Sequence, residues 1–371
     1  MEEWKEYKLG DVLTIKYGKD HKQLADGDIP IYGSGGIMRY GERPLYEGPS
    51  ILIPRKGSLN NILFVDKPFW TVDTMFWSII NDNIANPLFL YYAICKKDFA
   101  SLNVGSAVPS LTVPVIEAIE VLLPSKKTQD KIVSILKSLD DKIEVNRRIN
   151  ENLEQQAQAL FKSWFVDFEP FKGGEFVESE LGMIPKGWRV GTLSEIADIT
   201  MGTSPSGTSY NTEGKGDVFY QGRAEFKFRF PQRNMFTTEA KRFADVDSVL
   251  VSVRAPVGDI NVAEERCCIG RGLASVKSIN KCNSFILYLL QSLKPIFNSF
   301  NGEGTVFGCI NKKAFEEIRI VIPLQNSISA FESIASSIDR QIKRNEQESR
   351  RLASLRDTLL PRLMSGKISF E

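Results

Sequence analysis

The side chains that most often carry out catalysis are scarce in this sequence. His21 is the single histidine among 371 residues, which leaves little basis for histidine-dependent acid–base catalysis or for a histidine-rich metal site. No phosphate-binding loop of the GxxxxGK[ST] type is present. We therefore expect neither a catalytic residue nor a metal site. The five cysteines lack disulfide and metal-ligand spacing and indicate a reducing compartment: Cys95, Cys267, Cys268, Cys282 and Cys309.

Two short motifs approach catalytic or cofactor-binding sequences without meeting their requirements. Asn86-Pro87-Leu88-Phe89 is close to the Asn-Pro-Pro-aromatic motif of amino-methyltransferases. The second proline is missing, however, and Pro87 suits the first turn of a helix. Gly270-Arg271-Gly272 is glycine-rich, but no strand–helix phosphate cradle surrounds it, so tight packing or a turn is the simpler interpretation. Both motifs favour structural roles.

Cations interleaved with aromatic residues indicate a different chemistry, the recognition of nucleic acid. Residues 222–233 have the sequence GRAEFKFRFPQR. On a strand, this alternation would place three phenylalanines on one face and Lys227 and Arg229 on the other. Phosphates are contacted by lysine and arginine, and base edges mainly by arginine, asparagine and glutamine. The predicted DNA contacts of this window are Gln221, Arg223, Lys227, Arg229, Gln232, Arg233 and Asn234. The alternative is an amphipathic strand with a solvated charged face.

An equivalent window lies near the start of the chain. Residues 32–43, YGSGGIMRYGER, contain a glycine cluster that suits a loop approaching another backbone closely. Predicted contacts here are Arg39 and Arg43, with Arg55 and Lys56 as further phosphate contacts. A plain surface loop is the alternative. Arg254, before Ala255-Pro256, occupies the turn of the later window that matches Arg55-Lys56.

The elements that must position these windows are dominated by one long predicted helix. Apolar residues in residues 128–165 recur in steps of three and four, which is the seam of a coiled coil. Asn146 and Asn150 interrupt the seam. At about 1.5 Å per residue this helix would span about 57 Å, which is longer than a core element of a small domain requires.

The same helix pattern returns later in the chain. Adding 199 to each number takes Ile132 to Phe331 and Asn146 to Asn345. A buried asparagine in a seam costs stability but fixes register and partner, so we expect the two helices to pair antiparallel with these two asparagines about one turn apart. The alternative is that each helix packs on its own domain, with the asparagine solvated. The predicted seam residues are Leu136, Leu139, Ile143, Asn146, Leu153, Ile338, Ile342, Asn345 and Leu352.

The repetition extends through the whole chain. WKEYKLGDV (4–12) returns as WRVGTLSEI (188–196), SILI (50–53) as SVLV (248–251), and Gly105-Ser106 as Gly304-Thr305. The chain is therefore a tandem duplication. In the first copy, short strands are expected at Ile51–Pro54, Trp70–Ile80 and Ile119–Leu123, and a helix from Pro87, so each copy is an α+β unit.

These patterns give the expected domain organisation. Proline and paired glycines after the first long helix predict a connector without further elements. The expected order is a first domain (1–125), a long spacer helix (126–167), a connector (168–187), a second domain (188–324) and a second spacer helix with a C-terminal tail (325–371).

Composition is that of a soluble globular protein, with 42% hydrophobic and 25% charged residues. The net charge of +1 means that nucleic-acid binding must depend on local basic patches. No membrane-spanning run and no signal-peptide core are visible, so we expect a cytoplasmic protein without membrane contact.

Five segments, in this order and within a duplicated frame, resemble the specificity (S) subunit of type I restriction-modification systems. They are ALFKSWFVDFEP (159–170), ELGMIPKGW (180–188), DSVLVSVRAPVGDI (247–260), CIGRGLASV (268–276) and LRDTLLPRLMSGKI (355–368). The first copy departs from the pattern because it lacks an IPKGW-type entry segment.

The resemblance implies a non-catalytic subunit with two target recognition domains in a pseudo-two-fold arrangement, each reading half of a bipartite double-stranded DNA sequence. The antiparallel helices would hold the domains at a set distance. Two methyltransferase (M) subunits would bind this scaffold and restriction (R) subunits would join the full complex. No cofactor is expected in this chain, and S-adenosylmethionine is expected on the methyltransferase. The alternatives are a protein-binding coiled-coil scaffold, a silent recognition cassette, and a self-contained enzyme, against which the missing motifs argue.

Overall fold

The computed structural model describes residues 4–301 and 308–368. Residues 1–3, 302–307 and 369–371 lie outside the described residues, and with them the Gly304-Thr305 match to Gly105-Ser106. The chain divides into two compact units. Unit 1 comprises residues 1–145 and 347–371, and unit 2 comprises residues 146–346. Both long helices contribute residues to both units.

Unit 1 contains a four-stranded antiparallel sheet, a three-stranded sheet and a strand pair. Its elements are β1 (Lys5–Lys8), α1 (Leu9–Val12), β2 (Leu13–Tyr17), β3 (Ile29–Gly33), β4 (Gly36–Gly41), β5 (Ser50–Pro54), β6 (Leu63–Val65), β7 (Trp70–Thr71), β8 (Met75–Ile80), α2 (Pro87–Ile94), α3 (Val113–Glu117), β9 (Glu120–Leu123) and the first part of α4 (Lys126–Phe165).

The sheets of unit 1 follow from its apolar pattern. The four-stranded sheet has the order β2-β8-β5-β6, and β5 is buried at all five positions. In the second sheet, β3 lies between β4 and β7 and runs parallel to β7. β1 pairs with β9. The helix predicted from Pro87 is present as α2, and the Asn86 side chain accepts hydrogen bonds from the first free N–H groups.

Unit 2 repeats these elements with additions. They are β10 (Phe176–Ser179), β11 (Gly182–Pro185), β12 (Arg189–Thr192), β13 (Ala197–Met201), β14 (Tyr210–Asn211), β15 (Asp217–Tyr220), β16 (Phe236–Thr237), β17 (Phe243–Ala244), β18 (Val249–Ser252), β19 (Ile260–Val262), β20 (Cys267–Ile269), β21 (Leu273–Ser278), α5 (Asn283–Ser292), α6 (Lys294–Ser299), α7 (Lys312–Glu316), β22 (Arg319–Ile322) and α8 (Gln325–Met364).

The duplication is visible in the element boundaries. β13 begins and ends 184 positions after β2, and β21 does so 198 positions after β8. β22 and α8 follow β9 and α4 by 199 positions. The sheet order β13-β21-β18-β19 repeats β2-β8-β5-β6, and the parallel pair β15-β20 repeats β3-β7.

The two long helices run antiparallel within each unit. Each has 40 residues, or about 60 Å. In unit 1, Arg356 donates to Asp140 at 2.6 Å and Lys142 lies 3.3 Å from Glu348. A later residue of α4 thus contacts an earlier residue of α8, as antiparallel helices require. In unit 2, the Asn146 side chain lies 3.5 Å from the Asn345 carbonyl oxygen. All nine predicted seam residues are buried or half-buried.

The predicted fold class, two α+β repeats joined by two long antiparallel helices, is confirmed, but two local predictions are wrong. Trp70–Ile80 is two strands, because the chain turns after Thr71 and the Met75 N–H bonds back to the Val72 carbonyl at 3.0 Å. The connector holds the β10–β11 hairpin, whose turn uses Gly182 at φ +96°. Within the described ranges, no helix is long and apolar enough to cross a membrane.

Candidate nucleic-acid interface

In unit 2, three strand ends meet at one edge. The Gly270 N–H donates to the Tyr220 carbonyl at 2.8 Å, the Gly272 N–H to the Gln221 carbonyl at 3.2 Å, and the Val253 N–H to the Gly272 carbonyl at 2.9 Å. These bonds place three exposed polar residues close together, which we call the unit 2 edge: Gln221, Arg254 and Arg271.

The Gly270-Arg271-Gly272 motif makes this close approach possible. A Cβ on Gly270 would lie 2.8 Å from the Gln221 Cα, and one on Gly272 would lie 2.7 Å from the Gln221 carbonyl oxygen. The tight-packing interpretation of the two glycines is therefore confirmed. The arginine between them was not among the predicted contacts, although an arginine flanked by packed glycines was a visible signal.

The corresponding edge of unit 1 contains different side chains. Lys56 forms an isolated bridge with Ser110, as Arg254 does with Cys309, and the two cations are 198 positions apart, the offset of β8 and β21. The neighbouring Arg55 donates to the Asp73 carbonyl at 3.2 Å and lies 5.5 Å above the Tyr17 ring. Ser34 lies beside this turn, since a Cβ on Gly57 would be 3.0 Å from the Ser34 hydroxyl oxygen. We call Ser34, Lys56 and Asp73 the unit 1 edge.

In each unit, a residue just before the strand β6 or β19 forms a hydrogen bond with the predicted DNA-contact window. Asn61 donates to the Ser34 carbonyl at 2.8 Å in unit 1. Its equivalent in unit 2, Asp259, accepts from Arg223 and, at 2.8 Å, from Lys294. Arg223 remains half-exposed, so it both anchors the loop and faces solvent.

The prediction that Arg229 lies on an exposed strand face is wrong. Residues 226–235 form no strand, and the Arg229 side chain is only 4% exposed. It donates to Asp339 at 2.8 Å and to the Tyr288 hydroxyl at 3.2 Å, and it forms an ion pair with Glu154. A buried guanidinium requires such partners, and the carboxylates of α4 and α8 supply them.

Tyr288 completes this buried network. Its hydroxyl donates to Asp339 at 2.7 Å. Burial, with the nearby Asp339 carboxylate as a further cause, raises the pKa of Tyr288 far above its usual range, so the phenol stays protonated.

The prediction that the three phenylalanines share one face of a strand is also wrong, because Phe230 is buried whereas Phe228 is exposed.

The remaining predicted contacts are dispersed. Arg39 closes the turn at residues 21–26, since it donates to the carbonyls of His21 and Leu24 at 2.6 and 2.9 Å and pairs with Asp26 at 3.0 Å. The β3–β4 register places Arg39 and Arg43 towards the open end of that hairpin, whereas Ser34 lies in its turn. Arg233 pairs with Glu265. Eight of the candidate contacts, counting Arg271, are exposed and have side chains without a polar partner within residues 4–301 and 308–368: Arg43, Lys56, Gln221, Lys227, Gln232, Asn234, Arg254 and Arg271.

The cysteines of β20 belong to the interior. Cys267 and Cys268 are both fully buried. Burial, with Glu265 as a lesser cause, raises the pKa of Cys267 to about 12. The thiol is therefore protonated at neutral pH, and its place in the core gives it a packing role.

The repeated fold, with different side chains at its two edges, defines a class of protein that presents two different surfaces on one duplicated frame. A sequence model of the family described as type I restriction modification DNA specificity domain matches residues 1–155 and 185–356. The chain belongs to this family. It is a DNA sequence-specificity subunit, the non-catalytic component of type I restriction-modification systems.

Individual relatives agree with this assignment. The chain is 33% identical, over 96% of its length and 84% of the relative, to the putative type I restriction enzyme MjaX specificity subunit of Methanocaldococcus jannaschii. It is 24% identical to the HindI specificity subunit of Haemophilus influenzae, over 99% and 100% of the two chains. The crystal structure of the type I S subunit from M. genitalium has the same fold, with a TM-score of 0.66 and 18% identity over 98% of this chain and 96% of that one.

Proposed function

We propose that unit 1 and unit 2 each read one half of a split double-stranded DNA target, unit 1 through its edge and unit 2 through its edge. The observation that carries this proposal is the difference between equivalent exposed positions. Lys56 corresponds to Arg254, and Asp73 corresponds to Arg271. One frame thus presents two different sets of hydrogen-bonding groups.

The chemistry of these groups suits base and phosphate recognition. Arginine pairs with two acceptors of guanine, glutamine pairs with adenine, and a carboxylate accepts from the cytosine amino group. Lysine, like arginine, can donate to the acceptors of guanine, and it also contacts phosphate as a point charge. Since Asp73 supplies an acceptor where Arg271 supplies donors, we expect the two half-sites to differ and the whole target to be asymmetric.

The domain boundaries are part of the proposal. Residues 1–125 and 188–324 are the recognition domains, residues 126–167 and 325–371 contain the spacer helices, and residues 168–187 are the connector. The antiparallel contacts within each unit support a spacer role for α4 and α8. Two methyltransferase subunits, carrying S-adenosylmethionine, bind this scaffold, and restriction subunits complete the complex.

A matched pair of variants tests the assignment of halves. Lys56→Ala and Arg254→Ala change equivalent positions, and each variant would be co-expressed with the methyltransferase in a methylation-free host before the methylated bases are mapped. We expect each variant to weaken or relax a different half-site, by a factor of about 5 to 150 for a base contact. Lys97→Ala, an exposed cation just after α2, is the control and should leave the motif unchanged. If both edge variants changed the same half, or neither changed any, the proposal would be wrong.

A further inference from the structure

Arg229 lies in a loop that contacts both long helices. The loop, residues 226–235, leaves the surface at Arg229 and returns to it at Gln232. Within unit 2 the Arg229 guanidinium contacts Glu154 on α4 and Asp339 on α8. The guanidinium also lies 5.7 Å from the centre of the Tyr288 ring on α5. One side chain therefore joins the loop to three helices.

The rest of the loop is held by its backbone and by β19. The Val262 N–H donates to the Arg229 carbonyl at 2.9 Å, and the Asn261 side chain donates to the Lys227 carbonyl at 2.8 Å. The Gln232 N–H donates to the Glu225 carbonyl at 2.8 Å. The exposed residues Lys227 and Gln232 thus lie on either side of Arg229, whose side chain is held by contacts in the interior.

In unit 1, the equivalent of Asp339 is Asp140, whose carboxylate has a different arginine partner. Tyr92 donates to Asp140, as Tyr288 does to Asp339, but the guanidinium that meets Asp140 comes from Arg356 on α8. The position equivalent to Arg356 in the repeat, 199 positions earlier, is Ala157, which is fully buried. Unit 2 therefore has no arginine at this helix position, and Arg229 from the loop pairs with Asp339 instead.

We propose that the exposed Lys227 and Gln232 contact the DNA beside the unit 2 edge. Arg229 is then a positioning residue, which sets their loop, residues 226–235, against the helix pair and so determines how sharply unit 2 discriminates its half-site. The equivalent network of unit 1 joins helices to one another and includes no loop residue. Half-site reading by unit 1 should therefore not depend on the unit 1 network. This inference rests on the proposed function, because it assumes that unit 2 reads one half-site.

The test removes the anchor without leaving an unpaired buried charge, which would itself strongly destabilise the unit. The triple variant Arg229→Met, Glu154→Gln, Asp339→Asn makes the network neutral. The control is Arg356→Met with Asp140→Asn, the equivalent change in unit 1. Each complex with the methyltransferase would be assayed on targets that carry a single mismatch in one half or the other.

We expect the triple variant to lose about tenfold or more of its discrimination in the unit 2 half only, and the control to keep discrimination in both halves. Hydrogen exchange of the Val262 and Gln232 amides should also accelerate in the triple variant without DNA. Unchanged discrimination in a folded triple variant, or an equal loss in the control, would overturn the inference. If the triple variant does not fold, Arg229→Lys provides the same test, because a lysine keeps the charge but cannot reach all three partners.

The two proposals fail in different ways. If Lys56→Ala and Arg254→Ala leave the motif unchanged, the proposed reading of half-sites is wrong. If these variants alter opposite halves while the triple variant discriminates as the wild type does, only the role of Arg229 is wrong.

Discussion

Replacing Asn345 by leucine should destabilise unit 2, although leucine is the residue that a coiled-coil seam normally favours. Asn345 is 6% exposed, and its side chain donates to the Asn150 oxygen at 2.8 Å while accepting from Gln341 at 2.8 Å. Asn150 is itself only 1% exposed. The substitution would therefore leave a buried amide oxygen without its donor.

The expected loss follows from the burial of that oxygen. An unsatisfied buried polar group costs about 1–3 kcal/mol, so we take about 2 kcal/mol for Asn345→Leu. For a unit of about 200 residues this corresponds to a fall of about 4–8 °C in the unfolding temperature. The double variant Asn150→Leu, Asn345→Leu removes both partners and should recover most of the lost stability, since leucines pack across the seam.

Differential scanning calorimetry of the two single variants and the double variant gives a double-mutant cycle. Asn152→Leu, a substitution at an exposed position on α4 close to Asn150, is the matched control, and its free energy of unfolding should stay within about 0.5 kcal/mol of the wild type. If Asn345→Leu raised the unfolding temperature, or if the losses of the single variants simply added in the double variant, the argument that these asparagines satisfy each other in the seam would be refuted.

Three further predictions concern the unit 2 edge, the cysteines and the length of the spacer helices. Arg271→Ala should lower the slope of log affinity against log salt by about 1 if the arginine contacts a phosphate, and an unchanged slope together with an unchanged motif would exclude Arg271 from the interface. In the native protein, Cys309, which is exposed, should react with a thiol reagent at pH 8 well before Cys267, whose buried thiol has a raised pKa, and prior labelling of Cys267 would contradict the fold of β20. Deleting one heptad from α4 and one from α8 at equivalent positions should shorten the gap between half-sites by about three base pairs, since seven residues rise about 10 Å. An unchanged gap in the methylated motif would show that the helices do not set it.

Repetition made the large features predictable from the sequence. Two copies of a seam with an asparagine at the same position constrain each other, so the sequence alone predicts the pairing of α4 with α8 and the contact of Asn146 with Asn345. The ends of β9 and β22 can be predicted for the same reason, because a proline, Pro124 or Pro323, directly follows each strand. Periodicity is a strong signal when it is long and occurs twice.

Arg229 shows where local patterns stop being sufficient. The alternation in Phe226–Phe230 is that of a strand, yet the partners that bury the arginine, Glu154 and Asp339, lie 75 and 110 positions away in the chain. A non-local ion pair overrides the local preference, and no window of the sequence contains both sides of it. The β10–β11 hairpin was missed because its glycine and proline residues are also typical of linkers.

The candidate edges were predicted in part. Lys56, Gln221 and Arg254 were identified from composition and from matching turns, and the structure shows that Lys56 and Arg254 occupy equivalent bridges. Arg271 is not signalled by its neighbours, because glycines on both sides of a residue indicate tight packing or a turn. The grouping of Gln221, Arg254 and Arg271 depends on three strand ends that are distant in sequence.

The claim that two units of one frame read two half-sites is tested most directly by mapping methylation. The wild-type chain would be co-expressed with its methyltransferase in a methylation-free host, and modified bases would be located across the genome. We predict a single asymmetric motif made of two short half-sites with a fixed unspecified gap. An undivided motif, or no methylation despite a stable co-purified complex, would contradict the account.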